Sequence, residues 1–242
     1  MKRRTVLFGV ASVLAASVCI RLGLWQLDRL QERREKNALV LQRGTERPLT
    51  MSELRGLDTS ATHWRRVTVH GIADYDAEMV QTSRSQAGAP GVYLLTPVRP
   101  LENGWGDTSL LVVRGYLYSA DARTVDFAKA REGDTLTIDA LVTAFPPTRL
   151  GMARSPTSAR AVRLLDPDSL STQMGRPIVP LLLLALGDTT PRDVSRPARV
   201  PPPSPSEGPH RAYAVQWFAF ASVFVVGFVA FARKGREPRH AE

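Results

Sequence analysis

The sequence has one cysteine, Cys19, in 242 residues. That excludes a disulfide framework and any zinc site built on cysteines. Histidine is also scarce, with four residues: His63, His70, His210 and His240. His63 and His70 are seven apart around a strand pattern, and an odd spacing points them to opposite faces, so they make a poor metal pair. No nucleophile-elbow serine, phosphate-binding loop, dinucleotide fingerprint or HExxH is present. Many enzyme sites carry no short signature, so these absences lower the odds of an enzyme without excluding one. Acidic residues fall short of basic ones, 23 against 32, which gives a net charge of +9 and a pI near 10.4. Such a balance suits nucleic acid or an anionic membrane surface. The arginines are scattered rather than striped with aromatics, and no nucleic-acid module is recognisable, so nucleic acid is not an expected partner.

Charge is missing altogether from two long runs, and these point to the membrane. Residues 5–20, TVLFGVASVLAASVCI, follow the basic Lys2-Arg3-Arg4, and LGLWQL carries the run past Arg21 to Leu27. About 20 apolar residues cross a bilayer. Arg21 can snorkel, and Trp25 suits the interface. A cleaved signal peptide is the rival reading, but the run continues past the alanines at 15–16. A lipidated cysteine is disfavoured because Val18, not a small residue, precedes Cys19. Residues 213–232, YAVQWFAFASVFVVGFVAFA, form a second uncharged run, followed by Arg233, Lys234, Arg236 and Arg239. The positive-inside rule puts that end in the cytoplasm. Two spans then place both termini inside and residues 28–212 outside.

The fold class expected is therefore two transmembrane helices flanking a β-rich α+β extracytoplasmic domain. Its parts are a cytoplasmic 1–4, a span 5–27, a domain 28–188, a tether 189–212, a span 213–232 and a basic tail 233–242. A helix is expected over 28–43. Strands are expected at 64–72, 77–84, 91–98, 109–118, 135–145 and 159–165 from their alternation and β-branched content. The stretch AGAPG reads as the turn between the second and third. DPDSLSTQMG reads as a helix capped by Asp166 with Pro167 first. IVPLLLLALG is too short to span and reads as a buried strand. Residues 189–209 hold seven prolines and read as a stiff extended tether, up to roughly 60 Å at about 3.1 Å per residue.

Arg84 and Arg114, each read as lying at a strand end beside a turn, could hold an anion bidentately or form internal salt bridges, and the internal bridge is favoured. Asp74, Asp76 and Glu78 read as solvated acids near a turn. On a helical projection, His210, Tyr213, Trp217, Phe220, Phe224, Phe228 and Phe231 share a face about 80° wide. The opposite face, Val215, Ala219, Ser222, Val226 and Ala230, is expected to pack against Ala11, Ser12, Ala15 and Ala16 of the first run. Tyr213 and Trp217 fit an aromatic belt, and Gln216 wants a polar partner. His210 has two readings, an interfacial histidine or an axial ligand to a haem iron, and the residues alone favour the first.

LGLWQLDR, Leu22 to Arg29, resembles the LGxWQxxR signature of the surfeit locus (Surf-one type) assembly-factor family, with Gly23, Trp25 and Gln26 in place. WRRVTVHGIADYDAEMVQTSRSQAGAPGVYLLTPV resembles its central pattern through Arg84, Ser85, Gly88, Pro90, Gly91, Thr96 and Pro97. LLVVRGYLY supplies Arg114, Gly115 and Tyr116, and HRAYAVQWF supplies His210, Tyr213, Gln216 and Trp217. The resemblance implies a non-enzymatic factor of the bacterial inner membrane with a periplasmic domain. It implies assistance to cytochrome c oxidase assembly through subunit I and the haem a synthesis and assembly machinery, with haem a as the group handled. His210 matches the implicated haem ligand. Gly208-Pro209 stands where asparagine is common before this histidine, and Val113 and Tyr116 stand where asparagine and tryptophan are common. A cofactor-free membrane scaffold and a periplasmic enzyme are the alternatives.

Overall fold

A computed structural model describes residues 3–146, 160–190, 196–202 and 204–234. The parts of the expected sixth strand, tether and basic tail at 159, 191–195, 203 and 235–242 lie outside them. The chain divides into two compact units, Met1–Leu41 with Pro205–Glu242, and Gln42–Ser204.

In the first unit, α1 (Arg3–Thr45) is one continuous helix, so the apolar run and the expected 28–43 helix are a single element whose last residues belong to the second unit. No proline or glycine pair interrupts it. α5 (His210–Lys234) starts at the histidine, three residues before the expected span. Both helices are long and apolar enough to cross a membrane, with window hydropathies of 2.0. The buried positions of α1 are Gly9, Ser12, Ala16, Cys19, Gly23, Gln26 and Leu30. Their alternating 3–4 spacing is a heptad seam. Against it α5 sets His210, Ala214, Trp217, Ala221 and Phe228, running the other way.

The expected contact face of α5 is not the one used. Val215, Ala219, Ser222 and Val226 are exposed; the contact is centred on Ala214 and Ala221 with His210, Trp217, Phe218 and Phe228 beside them, while Tyr213, Phe220, Phe224 and Phe231 of the aromatic face are exposed. The physical reason lies in α1, which supplies the small residues. A Cβ on Gly9 would stand 2.7 Å from the Phe228 ring, and one on Gly23 2.7 Å from Phe218. Rings seated on glycines recover the dispersion contact that two small faces would lack. Phe8 adds tilted contacts to Phe228 and Phe231 at 6.4 and 4.8 Å. Cys19 is a buried free thiol packed near Ala16 and Ala221.

The second unit is a small barrel. Its strands are β1 (Arg66–Ala73), β2 (Met79–Gln86), β3 (Ala89–Pro100), β4 (Ser109–Tyr118), β5 (Thr135–Thr143), β6 (Ala161–Val162) and β7 (Ile178–Ala185). The order β1-β5-β7-β4-β3 closes through a β3–β1 pairing at Gly71↔Pro100. β2 and β6 extend from the other end of β3. Val67, Val69, Leu110, Val112, Ile138, Val142 and Leu183 meet in one core cluster, filled further by Leu49, Met51, Leu54 and Trp105. The short α2 (Met51–Gly56), started by the Thr50–Glu53 capping box, and α3 (Thr59–Thr62), capped by Asp58, were not foreseen. α4 (Pro167–Met174) begins as expected, with Asp166 as N-cap, and puts Leu170 and Met174 on Leu111, Val113, Leu182 and Leu184. β4 is thus covered on both faces, which is why it reads as a continuous apolar run.

Four boundaries differ from expectation. β1 starts at Arg66 because Trp64 takes a positive φ of 66°, and His63 sits in the α3 C-cap, where its Nδ1 accepts from Ala144 N–H. The AGAPG turn shrinks to Ala87-Gly88, both at positive φ, and Pro90 and Gly91 are in β3. The expected strand at 159–165 reduces to two paired residues among those described. Part of the expected tether is not free: Tyr116 and Ala198 exchange backbone hydrogen bonds of 2.6 and 2.9 Å, and Ala198 is buried on β4.

Candidate functional site

The motif residues of the barrel gather around two bulges. Between Leu94↔Gly115 and Leu95↔Val113 the register of β3 and β4 slips by one, which leaves Arg114 as the extra residue. A bulge re-aims its side chain, and Arg114 turns into the protein with no exposed surface. Its Nη2 donates to Glu78 Oε1 at 2.6 Å and its Nη1 to Glu132 Oε2 at 2.6 Å and to the Ala130 carbonyl at 2.8 Å. Its Nε donates to Thr96 Oγ1 at 2.8 Å, and Thr96 donates in turn to Glu78. Arg199 clamps the same group from the proline-rich segment, through Glu132 Oε1 at 2.9 Å and the Arg114 carbonyl at 2.6 Å. Burial works to lower the Arg114 pKa, but the two carboxylates outweigh it and hold the guanidinium above its ordinary value. Burial raises the Tyr75 phenol, whose ring lies 5.2 Å from the Arg114 guanidinium.

Arg114 is therefore an internal ion pair in the middle of a strand, not a residue at a strand end facing a ligand. Glu78, expected to be solvated, is fully buried as its partner. Of its neighbours, Asp76 is solvated as expected and Asp74 pairs with Arg176.

The second bulge falls between Gln81 and Arg84 in β2, with Ser83 at a positive φ of 59°. It lays the Arg84 guanidinium 5.7 Å from the Tyr93 ring centre. Tyr93 meets Tyr116 edge-on at 6.5 Å, and the Tyr116 hydroxyl shares its one proton between the Ala89 and Pro90 carbonyls at 2.9 and 2.8 Å. Two glycines make this crossing possible. A Cβ on Gly91 would lie 2.2 Å from the Leu117 carbonyl oxygen, and one on Gly115 2.5 Å from that of Ala198. The barrel motif thus describes a packed junction.

The helical unit holds the remaining motif residues. At the head of α5, His210 Nδ1 lies 2.8 Å from Gln26 Oε1 across the seam. Gln26 is 9% exposed and His210 partly buried. An amide oxygen only accepts, so this contact pairs with the Nδ1–H tautomer, which in the neutral ring leaves the Nε2 lone pair free. Gly208, at a positive φ of 66°, approaches the Nε2 edge of the ring: a Cβ there would be 3.7 Å from Nε2. Glu207 is tied to Arg34 by two hydrogen bonds of 2.7 and 3.2 Å, fixing the entry to α5. Tyr213 is exposed one turn on, Trp217 is half-buried against the seam, and Gln216 lies exposed on the far side. Trp25 is exposed under the Arg29 guanidinium at 5.7 Å. Among the described residues, no group of three or more His, Cys, Asp or Glu side chains could hold a bare metal ion. A porphyrin brings four of its iron's ligands itself, so one imidazole with a free Nε2 is a donor set that fits a haem.

The SURF1 family model matches residues 13–222, which takes in the barrel, most of α1 and the first half of α5. The chain belongs to the SURF1 family. That family is associated with cytochrome c oxidase assembly. Two similar relatives are SURF1-like proteins of Rickettsia felis and Rickettsia conorii. The first is 22% identical over 91% of this chain and 95% of its own length. The second is 22% identical over 90% of this chain and 88% of its own length. In this member of the SURF1 family the barrel motifs build a core junction and the two helix motifs meet in one layer. Sequence reading found the motifs but missed Glu78, Glu132, Tyr75 and Arg199, whose separations from Arg114 follow no local period.

Proposed function

We propose that this SURF1-family chain is a membrane-anchored assembly factor for cytochrome c oxidase that receives haem a at the head of α5 and supports its insertion into, or its retention in, subunit I. The observation that carries the reading is the His210 imidazole, whose Nδ1 is engaged and whose Nε2 is left as a donor. Below it run Tyr213 and Trp217, apolar surface suited to a flat macrocycle. Haem a is cargo in this reading, and the chain performs no reaction of its own. The barrel's buried charges are matched internally, which suits a scaffold.

The two apolar helices support anchoring in the bacterial inner membrane. Arg233 and Lys234, at the end of α5, favour a cytoplasmic end there, which supports a reading with both termini inside and the barrel in the periplasm. The test is an absorbance spectrum of the full-length protein, purified in detergent from haem-a-producing cells, beside His210→Ala. A haem band present in the wild type and lost or shifted in the variant is the expected result. A band that survives His210→Ala unchanged, or no band in either protein, overturns direct haem handling and leaves a cofactor-free scaffold.

A further inference from the structure

The layer formed by Gln26 and His210 has a consequence that neither residue has alone. In an unconstrained neutral histidine side chain the proton prefers Nε2, the nitrogen that would have to face iron. Here the Nδ1–H is held 2.8 Å from the Gln26 carbonyl oxygen inside the helix seam. Gln26 occupies a heptad position between Gly23 and Leu30, where an apolar residue would serve packing better. A polar side chain at such a buried seam position costs stability and specifies register or function.

We infer that Gln26 is a positioning residue: it fixes His210 in the Nδ1–H tautomer and sets the ring plane, so that a neutral Nε2 is presented at the helix head to a haem iron. The ligand site is then shared between α1 and α5. His210 supplies the donor atom, and Gln26 decides which nitrogen that is. Gly208, whose φ of 66° favours a residue without a Cβ, precedes the ring, and a Cβ there would only touch it, 3.7 Å from Nε2. This inference rests on the haem reading for its ligand, but the tautomer it asserts is independent of any ligand.

Two measurements on the full-length protein separate the two claims. The first is the tautomer of His210 in the haem-free protein, read from long-range proton–nitrogen correlation spectra of ring-labelled histidine. The wild type is expected as Nδ1–H. Gln26→Leu, which keeps an apolar seam and the helix pair, is expected to return the ring to Nε2–H or a mixture. Gln26→Glu, a stronger acceptor, is expected to keep Nδ1–H. The second is spectrophotometric titration with haem a. Gln26→Leu is expected to bind about 10–100-fold more weakly, the usual loss when a ligand's outer partner is removed. Gln26→Glu is expected to restore binding and lower the reduction potential of the complex.

An Nε2–H tautomer in the wild type, or a tautomer indifferent to Gln26→Leu, overturns the positioning role whatever haem does. Unchanged affinity in Gln26→Leu, with His210→Ala inactive in binding, also overturns it while the haem reading stands. No binding by the wild type overturns the haem reading, and the ligand half of this inference with it.

Discussion

Replacing Arg114 with methionine tests whether the barrel motif is a core device. The guanidinium is fully buried and is the cation bonded to Glu78 Oε1, with Glu78 itself 0% exposed. Glu132 keeps Arg199 at 2.9 Å after the change, so the stranded charge is Glu78. Removing one partner of a buried pair costs about 3–5 kcal/mol, because the other charge stays in low dielectric. For a chain of this size each kcal/mol moves Tm by about 2–4 °C, so the drop is about 6–20 °C. The assay is a thermal-unfolding series on the full chain in detergent, with Arg114→Met, Glu78→Met and the double variant. The double variant should recover most of the loss, since a buried pair exchanged for apolar groups of similar volume is often neutral. A drop below about 3 °C in Arg114→Met, or a double variant no better than either single one, would refute the reasoning and return Arg114 to ligand binding.

Two further outcomes follow from the barrel. Gly115→Ala places a methyl 2.5 Å from the Ala198 carbonyl, where backbone cannot give way cheaply; limited proteolysis should then cut near Ala198 faster than in the wild type, while Gly56→Ala, open around its Cβ and at an ordinary φ, should not expose that segment. Asp121 accepts from Ser119 and Thr124, which depresses its carboxyl below the ordinary range. A depressed carboxylate contributes stability above its unfolded pKa, near 3.9, and loses it as pH falls toward the folded value. Asp121→Asn should therefore flatten the fall in Tm below about pH 4, and an unchanged acid limb would count against the assignment.

The elements with a local period were legible. β4, β5, β7 and the Asp166-capped α4 follow from alternation, apolar runs and cap chemistry. The barrel closure was not, because the Gly71↔Pro100 pairing is a contact between distant strand ends that no local pattern records. Arg84 does lie near the end of β2 beside the Ala87-Gly88 turn, but Arg114 looked like a strand-end residue because a one-residue bulge leaves no mark on composition. The contact face of α5 was misread for a related reason. A helix considered alone suggests that its small side packs, but the partner's Gly9 and Gly23 had already provided the room. His210 and Gln26 were both visible as motif residues, and only the seam shows that they are one site.

The Gln26–His210 hydrogen bond joins residues 184 apart in the chain. At about 5–20 residues per second of synthesis, α1 exists for about 10–40 s before its partner imidazole has been made. Through that interval Gln26 sits in an apolar helix with no histidine to meet, and the whole barrel is synthesised between them. The helix layer is therefore a mark of completion: a chain truncated or stalled before residue 210 can fold its barrel and still lack the Gln26–His210 bond.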